Sequence, residues 1–289
     1  MTAATMSAQA PTRPFYWSVR RELWEHRSIY LGPVIAAGVV LLGFILSVMQ
    51  VSHVEFGSGD SRINLEALPY LVVGGVVLAT SLLVAFAYCL SALNAEKRDR
   101  SILFWKSLPV SDLTTILSKS AIPLAVIPVV AMIVTLAAQL VVMVLLSVSG
   151  RLGSAAGPVS VGEIMTSTLI YGPLVLSLWY APVYGWLLLV SSWAKRGAFL
   201  WAILPPLGLC VLEGIVLHTR HFADLLGLRL NGGFAAAFAM GAPGATGHFG
   251  MPQVTRAQFF TSPELWGGLL VAAAFIAAAV WLRRRGEPV

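Results

Sequence analysis

Residues 67–94 read ALPYLVVGGVVLATSLLVAFAYCLSALN, and residues 95–119 follow as AEKRDRSILFWKSLPVSDLTTILSK. The first stretch carries no Asp, Glu, Lys or Arg and exceeds the roughly 20 apolar residues that cross a bilayer as a helix. The second opens with a charge run, Glu96 to Arg100, and continues into the apolar and aromatic patch Ile102, Leu103, Phe104 and Trp105. It ends on Leu108-Pro109-Val110-Ser111-Asp112 and a segment that leads through Lys119 into the next apolar run. Ser111 or Asp112 is suited to cap that helix. A membrane span, a charged loop with an aromatic knob, and a return into the membrane decide the fold class: a polytopic, all-α membrane protein.

The rest of the chain repeats the pattern. Apolar spans are expected at 31–51, 67–94, 120–148, 165–192, 198–217 and 264–282. Hydrophobic residues make up 57% of the chain and charged residues 11%, against roughly 25% charged in soluble domains. So few charges cannot cover a water-facing surface. The first 30 residues hold Arg13, Arg20, Arg21, Glu22, Glu25 and Arg27 but no short apolar core with a small-residue cleavage site. No cleavable signal peptide is therefore expected, and the first span acts as an uncleaved anchor.

Charge sets the orientation. Of the 19 Lys and Arg residues, Arg62, Arg151, Arg220, Arg229 and Arg256 fall on one side of the spans and all others on the opposite side. The basic side is expected in the cytoplasm with both termini. The net charge of +6 is spread over span ends, not arranged as a stripe with exposed aromatics, which argues against nucleic acid. Cys89 and Cys210 sit about 10 Å apart in depth at 1.5 Å per residue, too far for a disulfide, so two free thiols are expected. Pro173 and Pro182 are expected to break the fourth span, and Pro123, Pro128, Pro205 and Pro206 fall within or at the starts of others, where neighbouring helices can satisfy the freed carbonyls.

Before the first span, Pro14 is placed to open a helix. Phe15, Val19 and Leu23 form an apolar stripe, with Tyr16 and Trp24 nearby and Arg20, Arg21, Glu25 and Arg27 on polar faces. The pattern predicts a helix lying in the membrane interface. After the fifth span, residues 218–263 hold apolar stretches too short to cross, broken by Gly241, Pro243, Gly244 and Pro252. Helices that dip into the membrane and return fit that composition.

The segment at 96–119 resembles permeases of the type-2 class of ATP-binding-cassette exporters: a Glu/Arg-rich run, a short apolar helix, Leu108-Pro109-Val110-Ser111, and a helix carrying Lys119 into the third span. The resemblance extends in layout, though not in motif, over nearly the whole chain. It implies that the loop between spans two and three is a coupling helix seated in a cleft of an ATPase subunit, with Glu96, Arg98, Asp99, Arg100, Phe104, Trp105, Leu108 and Pro109 as the coupling residues. It further implies that residues 14–30 form a connecting helix, that residues 218–263 form a re-entrant hairpin, and that the protein lies in the inner membrane of a bacterium. The chain has no G-x-x-x-x-G-K-[ST] phosphate loop. The ATPase, with its ATP and Mg, is then a separate subunit, and the complex holds two permeases, identical or related, and two ATPases. The chain itself is expected to bind no cofactor, and its other partners are membrane lipids.

Three residues are candidates for a transport path: Glu213, Gln139 and Tyr180. A carboxylate within a span is costly and functional by default; Glu213 either lines the path or pairs with Arg220 and orients the hairpin. His218 and His221 have the i, i+3 spacing of two metal ligands on one helical face, but a third ligand is lacking and no metal is expected. A membrane-embedded hydrolase or acyltransferase is the alternative function. It would need a nucleophile and a base at matched depth, yet all five histidines lie at or beyond span ends. A secondary transporter would show internal repeats, and none is evident.

Overall fold

A computed structural model describes residues 14–50, 68–94, 111–148, 172–194, 197–238 and 260–285, with the single residues 162, 165, 169 and 170. Regular structure among the described residues is entirely helical. In chain order the elements are α1 (Pro14–Glu25), α2 (Ser28–Gln50), α3 (Leu68–Ala92), α4 (Asp112–Val148), α5 (Gly172–Trp179), α6 (Ala181–Trp193), α7 (Ala198–Leu217), α8 (His221–Phe238) and α9 (Pro263–Arg285). Five helices are long and apolar enough to cross a membrane: α2, α3, α4, α7 and α9. The pair α5 and α6, bent by 46°, is long and apolar enough when taken together, and counts as a sixth if the two are one broken span. The protein is a multi-pass membrane protein.

Several expected boundaries shift. The first span starts at Ser28, not 31, because the chain turns at His26–Arg27 and resumes the helix at once. The third is a 37-residue helix from Asp112 to Val148, since nothing between Ser111 and Lys119 breaks it. The fourth expected span, 165–192, is broken at Tyr180, just before Pro182, one of the two prolines expected to break it; the missing N–H of Pro182 ends the hydrogen-bond ladder there. Gly197, at φ 65°, turns the chain from α6 into α7, a conformation that L side chains rarely adopt.

Helices α2, α3 and α4 pack on one another around Ala37, Tyr70, Val73, Val77, Ala138 and Val142. The larger cluster centres on α3 and α6 and includes Ile29, Tyr88, Trp179, Tyr184 and Leu188. Helix α9 packs along α6, and its end meets the start of α4 through Ile116, Ala279 and Val280. Helix α7 buries only Ala198 and Ala202; its exposed leucines and valines suit lipid.

The prolines follow one rule. Pro128 has no N–H for the carbonyl of Leu124, and the hydroxyl of Ser177 in α5 donates there instead. Pro206 leaves the carbonyl of Ala202, which accepts from Trp186 Nε1 in α6 at 3.0 Å. Pro123 cannot serve the carbonyl of Lys119, which takes the Ile122 N–H, and the helix widens into a π turn over Ile122–Val126. At the break itself, the Tyr184 hydroxyl donates to the carbonyl of Leu176 at 2.9 Å. A bare carbonyl in hydrocarbon costs several kcal/mol, so these side-chain donors let the prolines stay inside spans.

Candidate functional site

The charged loop leaves and re-enters the bundle at its basic end, and both junctions are fixed. On the exit side, Ser191 Oγ in α6 accepts from the N–H groups of Leu93 and Asn94 at 3.1 and 3.0 Å and donates to the carbonyl of Leu90 at 2.9 Å. One hydroxyl thus uses its donor and two acceptor positions on the last turn of α3. On the re-entry side, Ser111 caps α4, its Oγ accepting from Thr114 N at 3.1 Å. Asp112 then receives Arg283 Nε from the end of α9 at 3.0 Å.

Two turns further on lies the most buried charge pair of the described residues. Lys119 Nζ donates to Glu22 Oε1 at 2.7 Å, with Lys119 3% and Glu22 4% exposed. Glu22 Oε2 accepts from the Tyr88 hydroxyl at 2.9 Å. His26 stands 4.0 Å from that oxygen and edge-on to the Tyr88 ring, centroids 5.0 Å apart. Burying an ammonium alone would be prohibitive; a carboxylate with two donors makes it tolerable. The result is a clamp. Helix α1 is tied to α4 and α3 by Glu22, α4 to α9 by Asp112, and α3 to α6 by Ser191. None of these groups has the arrangement of a nucleophile with its base, and no metal-binding group of three His, Cys, Asp or Glu occurs among the described residues. These ties join α1, α3, α4, α6 and α9 to one another at the end where the loop leaves and returns.

The eight expected coupling residues, Glu96, Arg98, Asp99, Arg100, Phe104, Trp105, Leu108 and Pro109, lie outside the described residues. The three path candidates are held in three separate packings. Gln139 is fully buried in α4 on the stripe with Thr135 and Val142. Tyr180, buried at the break between α5 and α6, donates its hydroxyl to the carbonyl of Leu230 in α8 at 3.0 Å. Glu213 accepts from the Thr219 hydroxyl at 2.9 Å and from Phe222 N at 2.8 Å. It caps free N–H groups that open α8 and does not pair with Arg220; the hairpin it was expected to orient lies partly outside the described residues. His218 takes a left-handed turn, φ 52°, between α7 and α8, so His218 and His221 do not share the one helical face their spacing suggested. Both thiols are free. Glu213→Ala is expected to lower unfolding stability in a chemical denaturation series, because the N–H groups that open α8 lose their acceptor. Lost transport at unchanged stability would place Glu213 on the path instead.

No family model, no curated protein and no solved structure matches the chain.

Two arrangements escaped the sequence. Glu22 was legible only as one of several charges in a polar-faced helix, although its place three residues after Val19 sets it beside the apolar stripe. Val19 and Leu23 do pack on the core, while Phe15 is exposed. At the opposite end, Arg229 of α8 donates to the carbonyls of Trp179 at 3.2 Å and of Glu264, and its guanidinium lies 4.6 Å from the Trp179 ring. Trp179 Nε1 donates back to the carbonyl of Arg229 at 3.2 Å, and Gly268 leaves the room that Arg229 fills. Of the expected hairpin at 218–263, the described part is the helix His221–Phe238, held on the broken span through Arg229, and residues 239–259 lie outside the described residues. The signal available was Pro182 marking a break and Arg229 being one of few basic residues on that side.

Proposed function

We propose that this chain is the membrane-spanning subunit of an ATP-binding-cassette exporter of the type-2 class, working as a pair of permease subunits with two separate ATPase subunits. The supporting observation is the double anchoring of the 95–110 loop: Ser191 holds its exit, and Arg283 and Glu22 hold the helix that follows it. A loop meant only to connect two spans needs no such ties. A loop meant to receive a stroke does, because an unanchored end would absorb the displacement. In this reading Phe104, Trp105 and Leu108 meet the ATPase, ATP and Mg bind and react on that partner, and closure of the ATPase pair moves the clamped helices so that a cavity between permeases opens outward. The cargo is lipophilic or amphipathic, and the site is the inner membrane of a bacterium with both termini in the cytoplasm.

The direct test is purification of the tagged full chain from its native membranes. An ATP-binding subunit should accompany it in equal amount. If none does under mild detergent, the exporter reading fails and a membrane-embedded enzyme becomes the better account. Orientation has its own check: in a chain lacking Cys89 and Cys210, cysteines at Ser58 and Gly244 should react with an impermeant thiol reagent in intact cells, and one at Glu287 should not. The reverse labelling pattern would invert the topology.

A further inference from the structure

We propose that the outward face of α1 is a binding site for the headgroup of an anionic phospholipid, centred on Arg20 between Trp17 and Trp24. The inference rests on the membrane reading of the chain but not on its pairing with an ATPase.

At 100° per residue, Trp17, Arg20 and Trp24 fall within about 60° of arc on one face of α1. All three are exposed, Trp17 by 58% and Trp24 by 70%. The Arg20 guanidinium carbon lies 5.3 Å from the centre of one indole ring and 5.0 Å from the other. Tyr16 meets Trp17 edge-on at 5.6 Å. The face of α1 turned to the bundle is already occupied by Val19, Leu23 and Glu22, so the helix cannot rotate to hide the tryptophans. Two flanking rings hold Arg20 by cation–π attraction and leave the N–H fork free for a bidentate anion. The neighbouring Arg21 is different: it is engaged with Glu25 at 2.6 Å.

The surroundings select the occupant. Indole rings favour the headgroup level of a bilayer, and a planar guanidinium matches phosphate oxygens in pairs. The same combination recurs where α9 leaves the bundle at this end: the Arg285 guanidinium lies 4.3 Å from the exposed Trp281 ring. Basic groups beside interfacial tryptophans, repeated around one rim, complement the negative surface of an anionic leaflet. The arrangement also gives α1 two loaded faces. Arg20 faces the lipid, and Glu22 on the far side holds Lys119, so the headgroup fixes the helix from which the clamp is hung.

The test uses the full-length chain in neutral detergent, titrated with phosphatidylglycerol or phosphatidylcholine and read by native mass spectrometry as lipid bound per chain. Phosphatidylglycerol should bind more tightly than phosphatidylcholine. Arg20→Gln should weaken phosphatidylglycerol binding about fivefold, roughly what one interfacial basic residue contributes, and leave phosphatidylcholine binding unchanged. Arg21→Gln should behave as wild type. Should Arg20→Gln fail to fold, Trp17→Leu with Trp24→Leu must produce the same selective loss. Undiminished phosphatidylglycerol binding in these variants overturns the proposal. So does displacement of the lipid by glycerol phosphate at equal concentration, which would mark a site for soluble phosphate. Because the chain is measured alone, loss of the ATPase reading would leave this result untouched.

Discussion

Lys119→Met is expected to destabilise the protein by about 3–5 kcal/mol, the usual cost of stranding one member of a buried ion pair. The carboxylate of Glu22 would stay almost fully enclosed with only the Tyr88 hydroxyl as a close donor. The double variant Glu22→Gln, Lys119→Met removes both charges and should recover most of that loss, to within roughly 1 kcal/mol of wild type, as replacement of whole buried pairs often does. Reversible unfolding in mixed detergent would give both numbers and their coupling. The double variant then isolates the mechanical role. On the exporter reading, this variant keeps nearly wild-type stability but lacks the ion pair between α1 and α4, so transport per ATP hydrolysed should fall while the chain remains folded. A single Lys119→Met variant as stable as wild type would show that the two charges do not depend on each other.

The second large effect lies in the loop itself. Phe104 and Trp105 are bulky apolar groups beside a charge run, a combination suited to a contact site in a loop expected to face water. If they fill a cleft of the ATPase, Trp105→Ala removes an interface anchor at about 2 kcal/mol, about a thirtyfold loss of affinity. The Phe104→Ala, Trp105→Ala double variant should lose the ATPase during purification and hydrolyse ATP without transport. Its own folding should be unchanged, since Ser191 and Ser111 hold the junctions by hydrogen bonds that neither residue makes. A double variant that retains the ATPase and transports normally would end the coupling assignment.

What was legible in the sequence follows from the range of the forces involved. The spans, the Ser111 cap and the free thiols depend on stretches of chain that the eye can take in at once. The break at Tyr180 was visible too, because Pro182 beside it cannot continue the hydrogen-bond ladder, although its 46° bend was not. The clamp was not visible, because Glu22 and Lys119 are 97 positions apart and each by itself looks like an ordinary interfacial charge. Nor could Glu213 be assigned between a path and a pairing role. Its partners, Thr219 and the Phe222 N–H, are a hydroxyl and a backbone group, which leave no complementary charge to find.

The donors lent by α5 and α6 to the carbonyls above the prolines of α4 and α7 bear on how the protein is made. Ser177 serves Leu124, a residue synthesised long before it, and Trp186 serves Ala202, synthesised after it. Until α5 emerges from the ribosome, α4 has one carbonyl with no neighbour to satisfy it, and hydrocarbon is a poor place to wait. The third span is therefore better kept beside the insertion machinery than released into lipid on its own. Insertion of α4 to α7 as a group would keep each of these carbonyls beside its donor.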